Sequence, residues 1–231
     1  MTAIPLLPEQ PIGFPNPIYA LKEPDGLLAA GAALDVDWLI EAYGKGIFPW
    51  FDTDDDHILW WCPQRRAVLT PGTMKVSRSL AKRMRNSGFE VSLDRDFAAV
   101  VNACSEPRRD GGGTWITPRM RDAYLALFEA GFAHSAEVRF EGELVGGLYG
   151  VSLGRMFFGE SMFAAIADAS KAAFFYLQSQ LADWQFTLID CQIMNPHLAS
   201  LGAIEISREE FLEMLSKNAA EPSRVGPWRF E

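Results

Sequence analysis

The chain of 231 residues is long enough for one large domain or a medium and a small one, and its 48% apolar and 22% charged content is ordinary for a globular protein. No basic start with an apolar run opens the sequence, and no apolar stretch nears the roughly 20 residues that span a bilayer, so neither secretion nor membrane insertion is expected. The formal charge of −9 is uneven, at −8 over residues 1–60, +6 over 61–125 and −7 over 126–231, which leaves only the middle segment suited to a polyanion.

The first 65 residues are rich in Pro, Gly and Trp and predict a small N-terminal domain over residues 1–66. Its one clear helix runs from about Asp35 to Tyr43: Asp35 caps it, Trp38, Leu39 and Ala42 form an apolar stripe, and Gly44 follows. The remainder reads as turn and irregular chain. The acidic run DTDDDH (52–57) lacks the glycine and terminal glutamate of a calcium-binding loop and is expected to be a solvated turn. Then comes KVSRSLAKRMRNSG, with five bases and no acid. On a helix starting near Ser77, Arg78, Lys82 and Arg85 share one face, while Leu80 and Met84 share another. A solvated face and a phosphate-binding face both fit that pattern, and phosphate contacts would supply affinity without base specificity.

A helix is predicted from Phe97 to Ala103. The glycine run after it gives Arg108 to Gly113 the R-x-x-G-x-G spacing of an acetyl-CoA pyrophosphate loop, but a helix precedes it where a long strand should, so the match is read as chance. Thr117-Pro118 starts a helix that Gly131 closes. The block from His134 to Phe163 reads as three strands with turns at Glu141-Gly142 and Leu153-Gly154. Its last strand, Met156 to Phe163, sets a carboxylate among apolar side chains, with Phe158, Glu160 and Met162 expected on one face. A helix over DASKAAFFYLQSQLADW has a stripe of Phe174, Leu177, Gln178 and Leu181. The strand Leu188 to Ile193 then places Asp190 and Gln192 on one face and Ile189, Cys191 and Ile193 on the other. A short helix, PHLASLGA, and a strand near Ala203 to Ser207 complete the pattern.

Charges in buried strands need partners. The element order is helices, an antiparallel meander, a crossover helix, a strand, a helix and a strand. That is the order of an α+β acyltransferase-like fold with a mixed, mainly antiparallel sheet, placed here over residues 67–231. In such a fold the last meander strand and the strand after the crossover helix lie side by side and splay, which brings Glu160 to Asp190 and Gln192. Cys62, Cys104 and Cys191 form no C-x-x-C pair, so reduced thiols and a cytoplasmic location are expected. His57, His134 and His197 lack ligand spacing, and no metal is expected. A Cys191 nucleophile served by His134 or His197 is the rival site, and strand alternation opposes it.

From about Phe14 to Phe211 the chain resembles the leucyl/phenylalanyl-tRNA–protein transferases. The resemblance is carried by FPNPIYAL, GIFPWF, LWWCPQRRAVL, VSRSL, GTWIT, AHSAEV, ELVGGLYGVSLG, FFGESMF, DASK, LIDCQ and HLASLGA in that order. It implies a cofactor-free aminoacyltransferase that moves Leu, Phe or Met from aminoacyl-tRNA to the N-terminal Arg or Lys of acceptor proteins, marking them for N-degron-dependent degradation. It also implies a small N-terminal domain on a GCN5-related N-acetyltransferase-like domain. By the same resemblance Asp190, Gln192 and Glu160 are catalytic, and Trp50 and Trp115 sit near the tRNA 3′ end. The aminoacyl pocket falls to Leu148, Phe157, Met162, Phe174, Leu177, Leu181 and Ile189, and tRNA binding to Arg78, Lys82, Arg83 and Arg85.

Some positions depart from the family pattern. GAALD (31–35) stands where two glycines and an aspartate are usual, Phe128 replaces a His and Cys62 a Ser, and the tail after Phe211 is unmatched. These bear on acceptor preference more than on the reaction. An acetyl-CoA acetyltransferase of the same fold is one alternative, weakened because FAAIADASK (163–171) offers no glycine loop. A non-catalytic RNA-binding module is another, and it leaves Glu160, Asp190 and Gln192 unexplained.

Overall fold

Strands of two to five residues cannot bury a face alone, and among the described residues up to 61 four of them gather into one sheet. The computed structural model describes residues 4–54, 56–106 and 114–231. Strands β1 (Leu6–Leu7), β2 (Leu27–Gly31), β3 (Phe48–Pro49) and β4 (Leu59–Trp61) pair in the order β1-β2-β4-β3. This corrects the expectation of irregular chain around a single helix. The run LLAAG of β2 has no polar alternation and contains alanines of low strand preference, and β3 ends in proline, so neither carries a period-two signal. Helix α1 (Val36–Gly44) starts as expected, Asp35 accepting a hydrogen bond from the Trp38 backbone N–H at 2.9 Å. Its buried side is Trp38, Leu39, Ala42 and Tyr43.

The remaining helices are α2 (Arg78–Asn86), α3 (Phe97–Ser105), α4 (Pro118–Glu129), α5 (Ala169–Asp183), α6 (Pro196–Leu201) and α7 (Arg208–Asn218). They surround a second sheet of β5 (Arg65–Leu69), β6 (Glu90–Leu93), β7 (Ala133–Phe140), β8 (Glu143–Leu153), β9 (Met156–Ala164), β10 (Leu188–Asp190) and β11 (Ile204–Ser207). Its order is β11-β5-β10-β9-β8-β7-β6. Every neighbouring pair is antiparallel except β9 and β10, which α5 connects as a crossover. The meander and crossover are those read from the sequence, whereas β5, β6 and α7 were not anticipated. Arg66, the last residue of the expected N-terminal domain, lies inside β5, which is wedged between β10 and β11.

Two apolar clusters pack on this sheet. In one, Val100, Tyr124, Tyr149, Phe158 and Phe211 join Leu28, Tyr43, Phe48 and Trp60, so the N-terminal strands share a core with the large sheet. In the other, Leu148, Phe157, Phe174, Leu177, Leu181 and Ile189 join Trp228 of the C-terminal tail. Each of these large side chains contributes about 1.5–3 kcal/mol by burial. Helix α5 approaches β8 so closely that a Cβ on Gly146 would lie 2.5 Å from that of Ala169.

Strand β9 carries one residue too many for its partner. Tyr149 pairs with Ser161 and Gly150 with Gly159, which leaves Glu160 as the extra residue of a β-bulge. The alternation shifts there. Phe157 and Met162 pack on the α5 side, while Phe158 and Phe163 pack on the other, which corrects the expectation that Phe158, Glu160 and Met162 share a face.

Candidate active site

The pairing of β10 with β9 runs from Leu188 opposite Met156 to Asp190 opposite Phe158 and stops there. Beyond it the two chains diverge, and the gap is bridged by side chains: Gln192 Nε2 donates to Glu160 Oε1 at 2.7 Å. Gln192 is not a strand residue. Its φ of 60° is left-handed, and its backbone is tied at both ends, its N–H to Asp190 Oδ1 at 2.9 Å and its carbonyl to the Ala67 N–H at 3.0 Å.

Glu160 sits in a nest of donors. Tyr43 Oη donates to its Oε1 and Tyr124 Oη to its Oε2, each at 2.7 Å, and the two hydroxyls are themselves 2.7 Å apart. Burial and the nearby carboxylate hold both tyrosines well above the ordinary phenol range, so they stay protonated. Each hydroxyl has a single proton, so an ionised Glu160 leaves two protons for three close contacts, and a proton on the carboxyl completes the ring. Burial pushes the Glu160 pKa up to about 7; the Tyr124 and Tyr43 hydrogen bonds pull against it, Asp190 adds to it and Arg66 opposes it. A carboxylate poised near neutrality in a cleft has the character of a proton acceptor.

Asp190 is committed elsewhere. Its Oδ1 and Oδ2 accept from Arg66 Nε and Nη2 at 2.8 and 2.6 Å, and both side chains are fully buried. The Arg66 guanidinium lies between the rings of Phe48 and Phe211, at 4.8 and 4.6 Å from their centroids. Asp190 therefore reaches Gln192 through the backbone N–H, and the Gln192 amide reaches Glu160.

Two cavities meet at Glu160. The larger, about 510 Å³, is lined by Leu148, Phe157, Met162, Phe174 and Ile189 on its apolar walls and by Ser170, Cys191, Asn195 and His197 elsewhere. The smaller, about 150 Å³, is lined by Phe48, Pro49, Trp50, Gln192 and Ile193. Glu160 and Trp115 belong to both. Of the pocket residues named from the sequence, Leu177 and Leu181 line neither; they are fully buried one and two turns farther along α5 from Phe174. Trp50 is 42% exposed, and its ring stands 5.8 Å from that of Trp61.

Helix α2 presents Arg78, Lys82, Arg83 and Arg85 to solvent and buries Leu80, with Ser77 capping its start. Among the described residues none of those four bases is in an ion pair. The Arg108 to Gly113 spacing lies outside the described residues. In the acidic run, Asp54 Oδ2 accepts from the Arg119 backbone N–H at 3.2 Å, which docks this loop on the start of α4. Against the cysteine rival, burial and Asp190 push the Cys191 thiol up to about 12, and the His134 ring is stacked on Trp228 with its Nδ1 bonded to Asp94, whereas His197 lines the same cavity as Cys191. Among the described residues no group of three His, Cys, Asp or Glu side chains is arranged to hold a metal ion.

The site residues that the sequence reading passed over are Arg66, Tyr43 and Tyr124. Arg66 left one trace: in a strand reading of QRRAVL, Arg65 and Arg66 must face opposite ways, so one of two adjacent arginines turns inward.

A family model described as leucyl/phenylalanyl-tRNA protein transferase matches residues 68–216, and one for the N-terminal domain of the same transferase matches residues 32–64. The leucyl/phenylalanyl-tRNA–protein transferase of Nitrosospira multiformis is 55% identical over 218 residues, 94% of each chain. That of Alkalilimnicola ehrlichii is 51% identical over 219 residues, 94% of this chain and 84% of that one. A GCN5-related N-acetyltransferase-like protein from Streptococcus suis superposes with a TM-score of 0.34 at 18% identity, over 74% of this chain and 64% of that one. The chain belongs to the leucyl/phenylalanyl-tRNA–protein transferase family and is an aminoacyltransferase.

Proposed function

We propose that the protein takes Leu, Phe or Met from aminoacyl-tRNA and joins it to the N-terminal Arg or Lys of acceptor proteins, marking them for N-degron-dependent degradation in the cytoplasm. The observation that carries the reading is the Glu160–Gln192 bridge standing between an apolar cavity and an aromatic one. An unbranched-at-Cβ apolar side chain suits the walls formed by Leu148, Phe157, Met162, Phe174 and Ile189. The terminal adenosine suits Trp50 and Trp115, and the phosphates behind it suit the bases of α2.

The ester carbonyl then lies beside Gln192 and Glu160. The acceptor α-amine, with an ordinary pKa of about 7.7–8.0, attacks it: a C–N bond forms and the bond to the ribose oxygen breaks. Glu160 takes the proton from nitrogen, completing its ring with Tyr43 and Tyr124, and returns it to the leaving ribose oxygen. No net proton is consumed. Holding amine and ester in line supplies up to roughly 7–11 kcal/mol of barrier reduction in favourable cases. The Glu160 carboxylate and the acidic first 60 residues favour a cationic acceptor terminus.

The test is transfer of radiolabelled Leu from Leu-tRNA to a protein beginning with Arg or Lys. Transfer that is lost on acetylating the terminus and on RNase treatment supports donor and nucleophile together. No transfer from Leu-, Phe- or Met-tRNA by folded protein sinks the reading, and labelling from acetyl-CoA would replace it.

A further inference from the structure

We propose that Arg66 is a positioning residue of the transfer reaction: with Ala67 it forms a clamp on residues 190–192 that fixes the backbone of Gln192, and Asp190 serves as a strut in that clamp, not as a base. The inference rests on the transferase reading above and adds to it a residue and a division of labour.

Three observations converge on β5. Arg66 grips Asp190 through a two-pronged bond, Nε to Oδ1 and Nη2 to Oδ2, and Asp190 Oδ1 in turn accepts the Gln192 N–H. The next residue, Ala67, accepts the Cys191 N–H at 2.8 Å and donates its own N–H to the Gln192 carbonyl at 3.0 Å. The peptide group after the Gln192 Cα is thus held by Ala67 directly and the one before it by Asp190, which Arg66 grips, at the point where β10 has left its other partner, β9. A non-glycine residue at φ 60° persists only where its surroundings enforce it, and this clamp is the enforcement.

The same geometry removes Asp190 from the chemistry. It is 0% exposed, lines neither cavity, and has both oxygens engaged by charge-assisted donors. Arg66 is equally enclosed, with Phe48 of the small sheet on one side and Phe211 of α7 on the other. Phe48 also lines the smaller cavity, so the clamp and the wall facing the substrate share one side chain.

The test compares transfer of Phe from Phe-tRNA to a peptide with N-terminal Arg by wild type, Asp190→Ala and the double variant Arg66→Met/Asp190→Asn. In the double variant the new amide oxygen still accepts the Gln192 N–H, and neither buried charge is stranded. Loss of the Arg66 grip predicts a kcat about tenfold below wild type in the double variant, with an unchanged KM for Phe-tRNA and an unchanged pH profile, against a kcat loss of about 100-fold or more for Asp190→Ala. A folded double variant with wild-type kcat overturns the clamp, and one as inactive as Asp190→Ala, or with a shifted pH profile, overturns the strut, because the charge of Asp190 then takes part in the reaction. If the double variant does not fold, Arg66→Lys decides: kcat falling at constant KM supports the clamp, and wild-type kcat overturns it. Failure of the wild type to transfer would remove the transferase reading alone. The clamp is then read by exchange of the Gln192 amide proton, which should be slow in wild type and faster in Asp190→Ala; equal rates overturn it.

Discussion

Replacing Glu160 by glutamine separates the shape of the site from its proton chemistry. Glutamine fills the same volume, and its amide can donate to Tyr124 Oη while its oxygen accepts from Tyr43 and Gln192, so the three-contact ring that the carboxylate leaves one proton short is closed permanently. Transfer should fall by about 10²–10⁴, the range for loss of a general base. Stability should move the other way. The Glu160 pKa rises on folding from 4.5 to about 7, so between those values the folded protein binds more protons than the unfolded chain, and its stability falls as pH rises. Above pH 7 that costs wild type about 1.5–3 kcal/mol after allowing for partial exposure. In a chain of this size the Glu160→Gln variant should then melt roughly 3–12 °C higher than wild type. The assay is melting temperature against pH for both proteins: equal near pH 4, parting between 4.5 and 7, and constant in separation above. A separation that does not change with pH, or a variant less stable than wild type at pH 8, would refute the ring argument and reduce Glu160 to an ordinary carboxylate.

Neutralising Arg78, Lys82 and Arg85 together should weaken tRNA binding and lower the slope of log affinity against log salt by about 2–3, at 0.7–0.9 per phosphate contact, without altering the melting temperature of a helix whose bases are exposed. An unchanged slope measured by filter binding would remove α2 from the tRNA interface. Met162→Ala, which widens the larger cavity, should raise transfer of Trp relative to Leu by roughly tenfold or more. Leu177→Ala, beneath the cavity, should lower stability by about 2–5 kcal/mol and leave that ratio alone. Cys191→Ala should retain most activity, since the thiol is held protonated by burial and by Asp190; total loss in a folded variant would restore the cysteine nucleophile.

What could be read from the sequence was what a period or a cap writes locally. Asp35, Ser77 and Thr117 cap α1, α2 and α4 where the pattern put them, and the buried stripe of α5 contains Phe174, Leu177, Gln178 and Leu181 as its spacing requires. Asp190 was conspicuous because an acid in a short apolar run demands a partner. The partner itself was not legible: Arg66 is 124 residues away, on a strand whose own pattern is ordinary. Glu160 was likewise visible as an oddity while its direction was not, because one extra residue in β9 turns it out of the alternation and moves Met162 to the side of Phe157. Leu177 and Leu181 share the stripe of Phe174, and helical spacing cannot say at which turn the cavity ends.

The placement of the polar groups explains why the small N-terminal sheet and the large one share a core. Glu160 takes one tyrosine from α1 and one from α4, and Arg66 takes one ring from β3 and one from α7. The hydrogen bonds among these contacts depend closely on distance and angle, so the elements that supply them are best fixed against one another before substrate arrives. A hinge between the two sheets would let Tyr43 and Phe48 drift together, loosening the proton ring and the arginine sandwich in the same motion. Packing Leu28, Tyr43, Phe48 and Trp60 into one cluster with Tyr149, Phe158 and Phe211 removes that freedom at the time of folding. In the mechanism proposed above, the apolar core thereby acts on the reaction: it holds the tyrosines against Glu160, and through Arg66 it holds the turn that carries Gln192.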